Sequence, residues 1–230
     1  MSRDDPRCDL SANEGVFELQ DCSLSNLSIQ DCHDGIVIGH PLFREGMLDE
    51  ICGPLFPYGV HNFLIEACDI SNMNRNGITL FGSNAIVRGN RISGMNGIGI
   101  KLSTESDVKI EKNKISNTNL NGVEAMKGGF FEFYNNIFED NGVVGSSAVW
   151  IEFYTPEGGV DQNSLIFSHN TVVNSGSYSL EIENTEFTSE ASRITNNIFT
   201  DPYVVAPDIF IYAPYLSFDL SDFFTISNNR

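Results

Sequence analysis

Apolar and polar residues alternate along this chain in short bursts, and the bursts recur. The repeated phrase is an apolar residue, a spacer, a second apolar residue, two spacers, then Asn or Cys, a spacer and usually another apolar residue. It reads Phe17/Leu19/Cys22/Leu24, Phe63/Ile65/Cys68/Ile70, Ala85/Val87/Asn90/Ile92, Val108/Ile110/Asn113/Ile115, Phe131/Phe133/Asn136/Phe138, Leu165/Phe167/Asn170/Val172, Ser192/Ile194/Asn197/Phe199 and Phe224/Ile226/Asn229. Period-2 alternation marks a strand with one buried face, and pieces this short and this rich in Val, Ile, Phe, Gly and Asn are not helices. From Cys68 to Asn136 the slot returns after 22, 23 and 23 residues. A period of that length means stacked units, none able to bury its apolar face alone. Register is weakest at the start, where Leu27/Ile29/Cys32 also fits the phrase.

A second strand follows each phrase after an Asn/Gly turn, as in Gly35-Ile36-Val37-Ile38, Gly77-Ile78-Thr79-Leu80, Gly97-Ile98-Gly99-Ile100 and Gly122-Val123-Glu124-Ala125, then Val149/Ile151, Leu180/Ile182 and Ile209/Ile211. Three short strands and three turns in about 22 residues make one rung of a parallel β-helix, with like residues stacked about 4.8 Å apart. The expected fold is all-β: a right-handed, single-stranded parallel β-helix of about eight rungs. The Asn slot agrees with it. A side-chain amide both donates and accepts, so Asn90, Asn113, Asn136, Asn170, Asn197 and Asn229 are expected to stack as an internal ladder, with Cys22 and Cys68 filling the same slot in the first rungs.

These residues resemble the pectate-lyase-like superfamily of right-handed β-helix proteins, which holds pectate and alginate lyases, mannuronan epimerases, rhamnogalacturonases and phage tailspikes. The resemblance spans roughly residues 13 to 230. It implies a fold more than a chemistry. The polygalacturonase-type Asn-Thr-Asp is absent, and Tyr58-Gly59-Val60-His61 lacks the Asp-Pro of the epimerase motif.

Composition narrows the partners. The 230 residues, 41% apolar and without a linker, read as one domain, 1–230, with an inserted loop at 39–62. Thirty-one acids against thirteen Lys and Arg give a net charge of −18, which argues against nucleic acid and anionic membranes. No apolar stretch approaches membrane-spanning length, and Met1-Ser2-Arg3-Asp4-Asp5-Pro6 is no signal peptide. Five cysteines, all within the first 68 residues, form no disulfide framework. A Cys22–Cys68 bridge is conceivable, but free buried thiols are favoured. The last phrase stops at Asn229-Arg230 and neither end offers a capping helix, so a longer parent protein at the cell surface or outside the cell is expected. Oligomeric state is not legible.

The chemistry is expected on the outer face of the strand that begins Gly-Ile-x-Ile, where the resembled enzymes carry their sites. Alternation gives two outward columns: Val37, Thr79, Gly99, Glu124, Trp150, Glu181, Phe210; and Gly39, Phe81, Lys101, Met126, Glu152, Glu183, Tyr212. Glu124 and Glu181, two rungs apart, suit an inverting glycosidase. Lys101 suits a lyase base, with Glu152 and Glu183 holding Ca²⁺. Trp150 and Phe81 suit a sugar-stacking platform. His40 and His61 flank the 39–62 loop, a groove wall with substrate contacts, and a shorter excursion at 154–163 would rim the same groove. The resulting expectation is a carbohydrate-active protein acting on a polysaccharide as lyase, epimerase or glycoside hydrolase. The alternative is a noncatalytic adhesin, spike or surface-structural module.

Overall fold

The computed structural model describes residues 22–38, 62–81, 84–103, 107–126, 129–143, 145–153, 164–184, 192–200, 207–212 and 224–230. Among them are 22 strands and no helix, arranged as three sheets of eight, seven and seven strands. The first sheet runs from Ser23–Ser25 to Phe224–Ser227, the second from Ser28–Gln30 to Ile198–Thr200, and the third from Ile36–Ile38 to Ile209–Tyr212. Every pairing is parallel and joins a strand to its counterpart one rung away, as Val108–Glu111 joins Ala85–Arg88 on one side and Phe130–Tyr134 on the other. The chain therefore winds as a solenoid whose three flat sides are the sheets.

Alternation fills its interior. Ile65, Val87, Ile110, Phe133, Phe167 and Ile194 line the first sheet at 0% exposure; Ile70, Ile92, Ile115, Phe138 and Val172 do the same for the second, and Ile78, Ile100, Val123, Val149 and Leu180 for the third. Each such side chain removed from water contributes about 1.5–3 kcal/mol. Phe167 stacks on Phe199 with rings 6.3 Å apart and 7° from parallel, and lies 5.6 Å from Phe133.

Between the first and second sheets the ladder is continuous. The Asn113 carboxamide oxygen accepts from the Asn90 backbone N–H at 2.9 Å and from Asn90 Nδ2 at 3.0 Å. Asn113 Nδ2 donates to the Val87 carbonyl at 2.8 Å and to Asn136 Oδ1 at 3.1 Å. Asn136, Asn170, Asn197 and Asn229 repeat the pattern. The residue before each slot is left-handed: Ala67, Lys112 and His169 have φ of 53°, 57° and 58°. That turn aims the following Asn inward.

The first rungs depart from expectation. Leu24 pairs with Ile65, so Leu27 takes the place of Cys68 one rung down, and Cys22 sits ahead of the strand, level with Phe63. The reason is that Ser23–Ser25 and Ser28–Gln30 each have one inward position, which Leu24 and Ile29 fill. Cys68 does occupy the slot, its N–H bonded to Asn90 Oδ1 at 2.9 Å, and it is a free thiol, so no Cys22–Cys68 bridge forms.

Candidate functional site

A column of glycines sets the register of the third sheet. A Cβ on Gly35, Gly77, Gly99 or Gly122 would lie 2.3–2.7 Å from the backbone oxygen of the next rung, closer than any side chain permits. Gly99, rather than Gly97, therefore opens its strand, and the inward pair is Ile100/Leu102. This corrects the expected columns by two residues in one rung. Lys101, expected beside Met126, pairs directly with Glu124 on one side and Thr79 on the other.

The corrected column reads Val37, Thr79, Lys101, Glu124, Trp150, Glu181, Phe210. Lys101 Nζ meets Glu124 Oε1 at 2.9 Å, and Asn121 Nδ2 donates to the other oxygen at 3.2 Å. Trp150 is half-buried between the fully buried Val149 and Ile151, so its ring faces outward. Ser147, itself 0% exposed, donates its hydroxyl to Glu181. The Ser147 backbone N–H donates to Asn121 Oδ1 at 2.9 Å. One polar relay, Glu124 to Asn121 to Ser147 to Glu181, thus holds both carboxylates that flank Trp150. Neither Asn121 nor Ser147 was expected at the site. The available signal was Asn-Gly three residues before an outward polar residue, since Asn76 Nδ2 likewise donates to Thr79 Oγ1 at 3.3 Å.

The neighbouring column brings Glu152 opposite Glu183, about 4.8 Å apart at the backbone. Glu152 is held above the usual carboxylate range, first by burial and then by repulsion from Glu183 and Glu124. Glu181 is also raised by burial; the Ser147 hydroxyl opposes that rise and Glu183 adds to it. Beyond Glu181 the face turns aromatic. Tyr178 stacks on Phe210 at 4.6 Å and 10°, Phe210 lies parallel to Tyr212 at 6.5 Å, and Tyr212 is 52% exposed.

Other expected residues separate from this group. Phe81 faces away from the core yet is only 2% exposed, as Thr79 is 5%; a ring so covered has no face for a sugar, and the stacking role expected of it is dropped. His40 and His61, with loop residues 39–61 and 154–163, lie outside the described residues. As a calcium site, Glu152 and Glu183 supply two carboxylates where Ca²⁺ takes six to eight oxygens, and no group of three or more His, Cys, Asp or Glu among the described residues is gathered for a metal. A separate depression of about 360 Å³ lies on the first sheet over Leu64 and Ile86, beside Lys109 and Glu132.

Comparison with known proteins addresses the fold. The family model described as right handed beta helix region matches residues 54–156. The fold is a right-handed parallel β-helix. No curated protein and no solved structure matches the chain.

Proposed function

We propose that this β-helix binds a polysaccharide along its third sheet and cleaves it as a glycoside hydrolase. The observation that carries the reading is the Trp150 ring flanked, one rung to either side, by Glu124 and Glu181. An outward Trp gives a sugar ring an apolar face. Two rungs separate the carboxylates by about 9.6 Å at the backbone, close to the roughly 6.5–9.5 Å that leaves room for an attacking water between an acid and a base. Burial raises Glu181, which suits the general acid that protonates the leaving oxygen. Glu124, fixed by Lys101 and Asn121, suits the carboxylate that takes a proton from water. Lys101 is less suited to a lyase base because its ammonium is engaged by Glu124. A polysaccharide substrate accords with a placement outside the cell.

The test is release of new reducing ends from a panel of soluble polysaccharides. Glu181→Gln is expected to lower turnover by about 10²–10⁴-fold with binding retained, and Trp150→Ala to weaken binding. Binding that depends on Trp150 with no turnover from any substrate would replace catalysis with a binding role, the adhesin or surface-module alternative. No binding at all would end the carbohydrate reading.

A further inference from the structure

We infer that the glycan this face takes is an amino-sugar polymer, its ammonium groups set against Glu152 and Glu183; this rests on the carbohydrate reading above. The aromatic run of Trp150, Phe210 and Tyr212 points to a sugar chain, and the charges beside it select which one. Among the described residues, four carboxylates, Glu124, Glu152, Glu181 and Glu183, share the face with a single cation, Lys101, already engaged by Glu124 at 2.9 Å. Among the described residues no basic side chain pairs with Glu152, Glu181 or Glu183. A polyuronate laid here would add carboxylates to a face that repels itself. A neutral chain would leave that repulsion in place.

An ammonium group does the reverse. Glu152 and Glu183 stand directly opposite one another across one rung, so a cation between them touches two oxygen sets and removes the repulsion that adds to burial in favouring a proton on Glu152. The flanking rings suit the same ligand, since an ammonium over an aromatic face is attracted by its quadrupole. The net charge of −18 draws a polycation toward the surface from a distance.

Trp150 is the only tryptophan, so its fluorescence reports this face directly. Three hexamers serve as probes: glucosamine, its fully N-acetylated form, and galacturonate. The glucosamine hexamer is expected to shift Trp150 emission and to bind at least about tenfold more tightly than the other two, the difference shrinking as salt is raised. Glu152→Gln with Glu183→Gln is expected to erase that preference while melting shows the fold intact. Equal or tighter binding of the acetylated or galacturonate hexamer, still lost in Trp150→Ala, overturns the amino-sugar inference and leaves the carbohydrate reading standing. Silence of Trp150 toward all three overturns the amino-sugar inference, while the polysaccharide panel decides the carbohydrate reading.

Discussion

The inner Asn ladder and the outer Glu strip are built by the same operation, the stacking of like residues at one rung's spacing, and it has opposite consequences in the two places. An amide carries donors and acceptors, so each Asn satisfies the next: Asn113 accepts twice from Asn90 and donates once to Asn136. A carboxylate only accepts. Glu152 over Glu183 cannot be satisfied by its own copy, and burial sharpens the repulsion. Where acids do sit comfortably on this face, a different residue type holds them: Lys101 and Asn121 for Glu124, Ser147 for Glu181. Periodicity thus stabilises the column whose chemistry is self-complementary, and leaves the other in want of a partner.

The sharpest way to break this contrast is to put a carboxylate in the ladder. Asn113→Asp keeps the shape but loses both donors and buries a charge, with an expected loss of about 3–5 kcal/mol in denaturant unfolding. Asn113→Ala leaves the Asn90 N–H and the Val87 carbonyl without their partner, and a loss of about 1–3 kcal/mol is expected; stability unchanged by either substitution would mean the ladder is ornament. Cys68→Asn runs the other way. Cys68 Sγ is 3.9 Å from the Leu24 carbonyl, a group that an amide at that slot would reach, so a gain of about 1 kcal/mol is expected.

The smallest effect concerns the strip. Glu152 titrates above the usual range in the folded chain, so the stability it confers is present while it is protonated and is lost as pH rises through its folded value. Glu152→Gln, able to donate to Glu183, is therefore expected to raise the melting temperature near pH 7. The advantage should vanish below about pH 4, where the unfolded carboxyl also binds its proton. A variant that gains equally at both pH values would show that repulsion is not the cause.

The two regions also differed in how much the sequence disclosed. Asn and apolar slots from Phe63 onward were legible because inward residues must meet both a period of 2 and the return of the whole phrase, after 22 or 23 residues as far as Asn136 and after 27 to 34 beyond it. The strip was legible in its facing, as Trp150 and Glu181 show, but not in its register at Lys101. Gly97-Ile98 and Gly99-Ile100 fit the pattern equally, and the choice depends on how closely the Gly99 backbone approaches Gly122. Alternation reports direction and not coverage, so it placed Phe81 outward while saying nothing of what buries it. Asn121 and Ser147 were passed over because residues just ahead of a strand read as turn. Cys22 was misplaced because Leu24 satisfies the apolar requirement of two different slots.

The paired left-handed turns have a further consequence. Lys112 and Asn135, with φ of 57° and 55°, hold the same conformation one rung apart, each just ahead of an Asn of the ladder. Removing residues 113–135 would join two ends that already match in shape, with Asn136 arriving where Asn113 had been. The excised chain is expected to melt cooperatively as a shorter solenoid, and a chain cut out of step by a few residues is not. The excision would also carry away Glu124 and bring Trp150 opposite Lys101. Length is a whole number in this molecule, and side chains on its surface change neighbours by clicks rather than by degrees.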